Sequence, residues 1–238
     1  MTFDIHAMGD ALIYILKVVP QTLFMAAFVL GVGILLGAVV AVIRIGKHPI
    51  LNPILAVWIS FTRAVPAIVQ IFIAYYTIPY VLAPIFTFFQ GTEVKAFDIS
   101  PYWTGCLLFF FYHAAYQAEN IRGALLSVPK GQYEAAVSIG MTPYDAYRRI
   151  VFPQAFVVVL PTFFTYYLHA LKALSLLFTI KVVDIFAAAD LFASLYSRRT
   201  EPYVADALIY WVLCIILTLL YNRWLKSFKA KGYGEDVN

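Results

Sequence analysis

Charge is scarce in this chain. Only 13% of its 238 residues are Asp, Glu, Lys or Arg, against 63% apolar residues, and the mean hydropathy is +0.81. So little polar surface cannot cover an apolar core in water, which excludes an ordinary soluble domain. Cysteine is nearly absent: Cys106 and Cys214 lie in separate apolar runs, so neither a disulfide framework nor a thiolate metal site is indicated. The four histidines, His6, His48, His113 and His169, form no pair at ligand spacing. No glycine-rich loop ends in Lys-Ser or Lys-Thr. Gly46-Lys47 is followed by His48 and has no upstream glycine at the required spacing, so phosphate cradling and ATP-Mg are not expected in this chain. Acidic Asp4 and Asp10 stand where a removable signal peptide would carry basic residues. The net charge of +4 is spread over loops, which argues against nucleic acid as a partner.

What remains is long apolar runs in a lipid bilayer. A helix crossing a hydrocarbon core of ~30 Å needs about twenty residues, and five runs meet this: about 18–43, 54–82, 102–126, 151–171 and 204–224. The fold class expected is therefore all-α and polytopic, with residues 18–225 as one membrane domain. Residues 1–17 contain an amphipathic stretch that predicts an interfacial helix on the outer side, and 226–238 predict a basic cytoplasmic tail. Residues 176–191, interrupted by Lys181, Asp184 and Asp190, predict a short outer-side helix. Gly33 and Gly37 in the first run form a small-xxx-small face for close helix packing.

Between the third and fourth runs lies a polar island, residues 127–150, closed by Pro153. Ser127 and Pro129 read as a helix start, Gly140 as its end, and Thr142, Pro143 and Asp145 as a second start with a hydroxyl cap and an acid in the first turn. Two short helices meeting at a bend are predicted. Placing the island inside gives ten inner Lys and Arg (Arg44, Lys47, Arg122, Lys130, Arg148, Arg149, Arg223, Lys226, Lys229, Lys231) against six outer ones, with Arg63 within a span. That excess predicts an outer N terminus and a cytoplasmic C terminus, as five spans require.

Polar groups inside the spans are the candidates for function. Eleven residues at ~1.5 Å each put Arg63 about 16 Å deep, where an arginine costs about 2.5 kcal/mol or more unless it meets a carboxylate or water. A structural ion pair and a substrate contact fit equally well. The third run carries His113, Tyr116, Gln117 and Asn120 at three-and-four spacing, and Glu119 three residues before Arg122. Arg63, Gln70, His113, Gln117, Glu119 and Lys172 form the candidate pathway set. Arg63 with Glu119 offers a cation and an anion for an amino acid zwitterion; Glu119 paired with Arg122 offers a structural clamp instead.

The island resembles the EAA loop of ABC importer permeases, carried here by Glu134, Ala135, Ala136, Gly140, Ile150 and Pro153. Three further stretches resemble the polar amino acid group (histidine, glutamine, arginine and cystine type): FTRAVPAIVQIF at 61–72, AAYQAENIRGAL at 114–125 and LKALSL at 171–176. Ala64 and Val65 stand where that group often has Gly-Thr, and Ala173 and Leu174 depart from its Lys-Ser/Thr-Ser pattern. The resemblance implies a type I ABC permease fold with five transmembrane helices and a cytoplasmic coupling helix, in a bacterial cytoplasmic membrane. It also implies partners: an ATP-binding cassette ATPase dimer that binds ATP-Mg, a second copy or related permease, and an extracellular or periplasmic amino-acid-binding protein. The function implied is ATP-driven import of a polar amino acid by alternating access, in a subunit that is not itself an enzyme. An ion-coupled secondary transporter is the competing reading, and the chain shows no convincing internal repeat to favour it.

Overall fold

In the computed structural model, which describes residues 3–229, all regular structure among the described residues is helical. Four helical stretches are long and apolar enough to cross a membrane: Val19–Ile45, Ala67–Gln90, Pro143–Ile180 and Thr200–Phe228. The first is α2 (Val19–Ile45), preceded by α1 (Ile5–Leu16). Then come α3 (Leu51–Ala64), α4 (Ala67–Gln90) and α5 (Pro101–Ser127). Helix α5 has the length of a span at 27 residues, but its second half is too polar to share the hydropathy of the others. It is the central element, packing against α2, α3, α4 and α8 (Phe152–Ala173).

The expected single span at 54–82 is two helices. Pro66 lacks an amide and disfavours the helical conformation at the residue before it, and Val65 is accordingly extended at φ −85°, ψ 133°. The carbonyls freed there are taken up by a side chain: buried Gln70 donates Nε2–H to Thr62 O at 3.0 Å and to Val65 O at 2.9 Å. The membrane-length helix is therefore α4, which runs on to Gln90 and shortens the loop expected over 83–101. Gly91, at φ 69°, ends it in the left-handed conformation.

Helix α1 is anchored on protein along one side: Ala11 and Ile15 are fully buried against α9 (Ile185–Leu195) and α10 (Thr200–Lys229), in a cluster with Ala188, Phe192, Ala205 and Ile209, while Ile5, Ile13 and Leu16 are exposed. The short helix expected over 176–191 is a 3₁₀ segment, Leu174–Ile180, followed by α9. Helix α10 runs past 224 through residues placed in the tail, and the remainder of that tail, 230–238, lies outside the described residues.

Asp4 caps α1 by accepting from the amides of His6 (3.0 Å) and Ala7 (3.3 Å), and meets Arg198 Nη2 at 3.1 Å. The Ala7 amide above all, with that of His6 and the Arg198 charge behind it, holds its carboxyl below the ordinary aspartate range, against an opposing effect of desolvation that is second only to the Ala7 bond. A carboxyl depressed in the folded state contributes stability at pH above its free value of 3.8, and that contribution is lost as pH falls through the folded value. The protection factors of the amides of Ile5–Leu16 in hydrogen exchange should therefore fall below that pH, and fall less in an Asp4→Asn variant, in which only Glu201, the acceptor of the residue-4 amide, remains to titrate. Equal acid sensitivity in both would refute the assignment.

The candidate coupling loop and the polar centre of the bundle

The loop begins where α5 stops. Ser127 does not cap the next helix as expected; it ends α5 and donates to Ala124 O at 2.8 Å, leaving Pro129 as the cap residue of α6 (Lys130–Ser138). At the other end of α6, the Met141 amide bonds to Ala136 O (3.1 Å) and the Gly140 amide to Val137 O (2.9 Å). This is a Schellman ending, with Gly140 at φ 92°. Thr142 then caps α7 (Pro143–Ala146), its Oγ1 accepting from the Asp145 amide at 3.1 Å. One π turn, Tyr147–Val151, carries the chain directly into α8, whose first turn contains Pro153.

On α6, Ala136 faces inward at 5% exposure, whereas Glu134 and Ala135 face outward. The elbow is stiffened from within. Tyr133 and Tyr147 rings meet at 5.2 Å and Tyr147 meets Phe152 at 6.0 Å, tying α6 to the base of α8. Tyr133 also packs against the buried cluster that includes Leu125, Val128, Val151 and Ala155. Outside, Ile139 (77% exposed) and Tyr144 (70%) project with Glu134 from an otherwise polar loop. Sequence reasoning passed over these two, although large apolar residues in a polar island are a signal that a surface is built to be covered.

The candidate pathway residues separate into three groups. Arg63, in the last turn of α3, is exposed and lies 5.7 Å over the Tyr116 ring. Tyr116 meets Tyr112 (5.1 Å) and Tyr166 (5.6 Å), and Tyr166 meets His169 (5.8 Å). This aromatic wall from α5 and α8 was legible only as scattered tyrosines.

His113 and Gln117 belong to the α2–α5 seam. They are 1% and 0% exposed, opposite Gly33 and Gly37. His113 lies between the Phe109 ring (5.8 Å) and the Tyr112 ring (5.6 Å), and neither ring nitrogen has a hydrogen-bond partner among the described residues. Gln117 Oε1 accepts from Asn120 Nδ2 at 3.1 Å. The stripe expected on one face is thus divided: His113 and Gln117 face α2, and Tyr116 faces Arg63 and Tyr166. Gln70 is spent on the α3–α4 break.

Glu119 forms the third group. Its Oε2 accepts from Arg122 Nε (3.0 Å) and Nη2 (2.7 Å), and its Oε1 is in direct contact with Arg44 Nη1 at the end of α2. The clamp with Arg122 is what forms, extended by a second arginine from 75 residues away. Among the described residues, Glu119 makes its ion pairs with Arg44 and Arg122, and none with Arg63. Lys172 is exposed in the last turn of α8, and no contact joins it to the Arg63 group.

An all-helical bundle around a central polar helix, with a glycine-ended two-helix elbow between α5 and α8, defines a type I ABC importer permease. The chain belongs to the family described as binding-protein-dependent transport system inner membrane component, whose model matches residues 33–229. It is 38% identical to the probable amino-acid ABC transporter permease protein PatM of Vibrio harveyi, over 98% of this chain and 99% of that protein. It is 34% identical to the L-cystine transport system permease protein TcyL of Bacillus subtilis, over 95% and 92% respectively. Among solved structures it is similar to an amino acid ABC transporter with histidines, at a TM-score of 0.79 and 26% identity over 95% of this chain and all of that one. The inward-facing MetNI methionine transporter shares the fold, with a TM-score of 0.65 at 16% identity, covering 89% of this chain and 94% of that one.

Proposed function

We propose that the chain is the membrane-spanning subunit of an ATP-driven importer for a polar amino acid, and that the 130–151 elbow carries the motion of a separate ATPase dimer into α5 and α8. The carrying observation is the joint itself. An outward face of Glu134, Ala135, Ile139 and Tyr144 is fixed by Gly140 and by the Tyr133–Tyr147–Phe152 contacts to the start of a membrane helix, with no slack residue between π turn and span. A push on α6 would reach α8 as a rotation. Small Ala135 permits close approach, and Glu134 offers a charge to a basic groove. The relatives' names supply the cargo class, an amino acid in one and cystine in another. The elbow and C terminus lie on the cytoplasmic side in this reading, with the N terminus outside. A second copy or a related permease completes the path, and an external binding protein delivers the cargo.

Arg63 is the pathway group favoured by geometry: its charge is held over an aromatic wall and, among the described residues, pairs with no carboxylate, as a passing carboxylate would require. Reconstituted with its ATPase and binding protein, the Glu134→Lys variant should keep hydrolysing ATP while importing less per ATP. A like charge placed against a basic partner costs roughly 2 kcal/mol, or about thirtyfold in docking. Unchanged import per ATP would sink the coupling role. Import that persists after ATP depletion with ion gradients intact would favour the ion-coupled reading.

A further inference from the structure

A crevice of about 670 Å³ lies between α2, α5 and the first half of α8, next to the elbow, with Phe228 near the end of α10 at its edge. Its walls are apolar, from Ile34, Ala38 and Val42 on α2 to Leu125 on α5 and Phe156 on α8, and the one charged residue among them is Arg148. Arg148 sits in the π turn, one turn before α8 begins, and therefore at the loop-side end of the crevice. Among the described residues no carboxylate pairs with it; Asp145 pairs with its neighbour Arg149 instead, at 3.5 Å. The crevice follows α8 from Phe152 to Phe163, eleven residues or about 16 Å. That is the depth of one leaflet of a hydrocarbon core of ~30 Å.

An apolar slot one leaflet deep, with a single cation only at the headgroup end, matches one molecule. Water would find almost no polar partners on these walls. A protein segment would bring backbone groups that the walls cannot satisfy, unless it were already helical, and it would leave Arg148 without an anion.

We propose that this crevice is a phospholipid site: one acyl chain lies between α2 and α8, and the phosphate of an anionic headgroup is held by Arg148. A lipid seated there touches Phe152 and Pro153, where the elbow joins α8, and so braces that joint. Only the bracing consequence rests on the coupling reading; the site does not.

Native mass spectrometry of the purified full-length chain, titrated with phosphatidylglycerol or phosphatidylcholine of matched acyl chains, tests the site. The wild type should retain one phospholipid and prefer phosphatidylglycerol about fivefold, the equivalent of roughly 1 kcal/mol for one basic residue near anionic lipid. Arg148→Gln should abolish the preference and keep the adduct. Ala38→Trp should remove the adduct with either lipid, and Lys95→Gln, an exposed cation before the start of α5 and so at the opposite end of that helix from the elbow, should change neither. A wild type that retains no phospholipid overturns the proposal, as does a preference unmoved by Arg148→Gln or an adduct that survives Ala38→Trp. A Phe156→Cys variant that cross-links to a second copy would show a protein in the slot and overturn it equally.

Discussion

Gly37→Ala should lower the apparent melting temperature of the purified chain by several degrees, although it adds a single methyl group to an excellent helix former. A Cβ built on Gly37 would stand 2.8 Å from Gln117 Cβ, 2.9 Å from the Ala118 amide nitrogen and 3.0 Å from Ala114 O. Two of those three atoms are backbone of α5 and cannot rotate away, so the helices themselves would have to part. Overpacking of this kind costs about 1–3 kcal/mol, which for a domain of this size corresponds to roughly 2–10 °C. Gly33→Ala should follow, its Cβ meeting His113 Cβ at 2.6 Å and the Ala114 nitrogen at 3.2 Å. Gly105→Ala should cost less, because the atoms it meets, Leu177 Cδ1 at 2.9 Å and Cδ2 at 3.0 Å, end a side chain that can turn. Gly31→Ala is the control: nothing lies within 4 Å of its added methyl, and alanine should be neutral or slightly stabilising. The order Gly37, Gly33, Gly105, Gly31 is the prediction. If Gly37→Ala melts like Gly31→Ala, the α2–α5 seam is not the close contact described.

The same seam shows which features of this fold are local enough to read from sequence. Gly33 and Gly37 are four residues apart in an apolar run, so a close helix approach follows from their size alone. Gly140 and Thr142 are equally local: a left-handed helix ending and a hydroxyl cap depend on the residues beside them. What partner the glycines meet is not local. That His113 and Gln117 fill the other side depends on the register of α2 against α5. Spacing along one helix places residues on a face, but it does not say which of two adjacent faces meets a neighbouring helix. Tyr116 and Gln117, adjacent in sequence, end in different environments for that reason.

The break at Val65–Pro66 is a different case. Its signal, a residue before proline, was present, but hydropathy continued through it and hid two helices as one run. What decides the matter is Gln70, whose amide satisfies the carbonyls a broken helix leaves behind. Without such a donor a mid-membrane break would be costly; with it, Arg63 is delivered to the end of a short helix. Helix α1 is a further case: its sequence shows an apolar face, and only the packing of α9 and α10 reveals that protein covers Ala11 and Ile15 while Ile5, Ile13 and Leu16 stay exposed.

Glu119→Leu should be the most damaging single change among the charged residues. Its carboxylate, 17% exposed, sits between Arg44 at 23% and Arg122 at 34%, so deleting it leaves two partly buried like charges facing one another across the α2–α5 seam. Breaking a buried pair from one side costs about 3–5 kcal/mol when both groups are fully desolvated, and the partial exposure here reduces this to roughly 2–3 kcal/mol. The two arginines should not contribute equally. Arg122 lies on the same helix and is the more exposed, so it can turn toward water; Arg44 comes from α2 and holds the seam. Removing Arg44 as well should therefore recover most of the loss: Arg44→Met combined with Glu119→Leu should melt above Glu119→Leu alone, whereas Arg122→Met combined with Glu119→Leu should recover less. Melting of the purified proteins distinguishes these outcomes, and a repeat at high salt adds a further check. A half-buried triad should keep its ranking in salt, because solvent ions screen it poorly. If Glu119→Leu melts within 0.5 kcal/mol of the wild type, the range of an ordinary surface change, the triad is an exposed ion cluster and α2 is held to α5 by the glycine contacts alone.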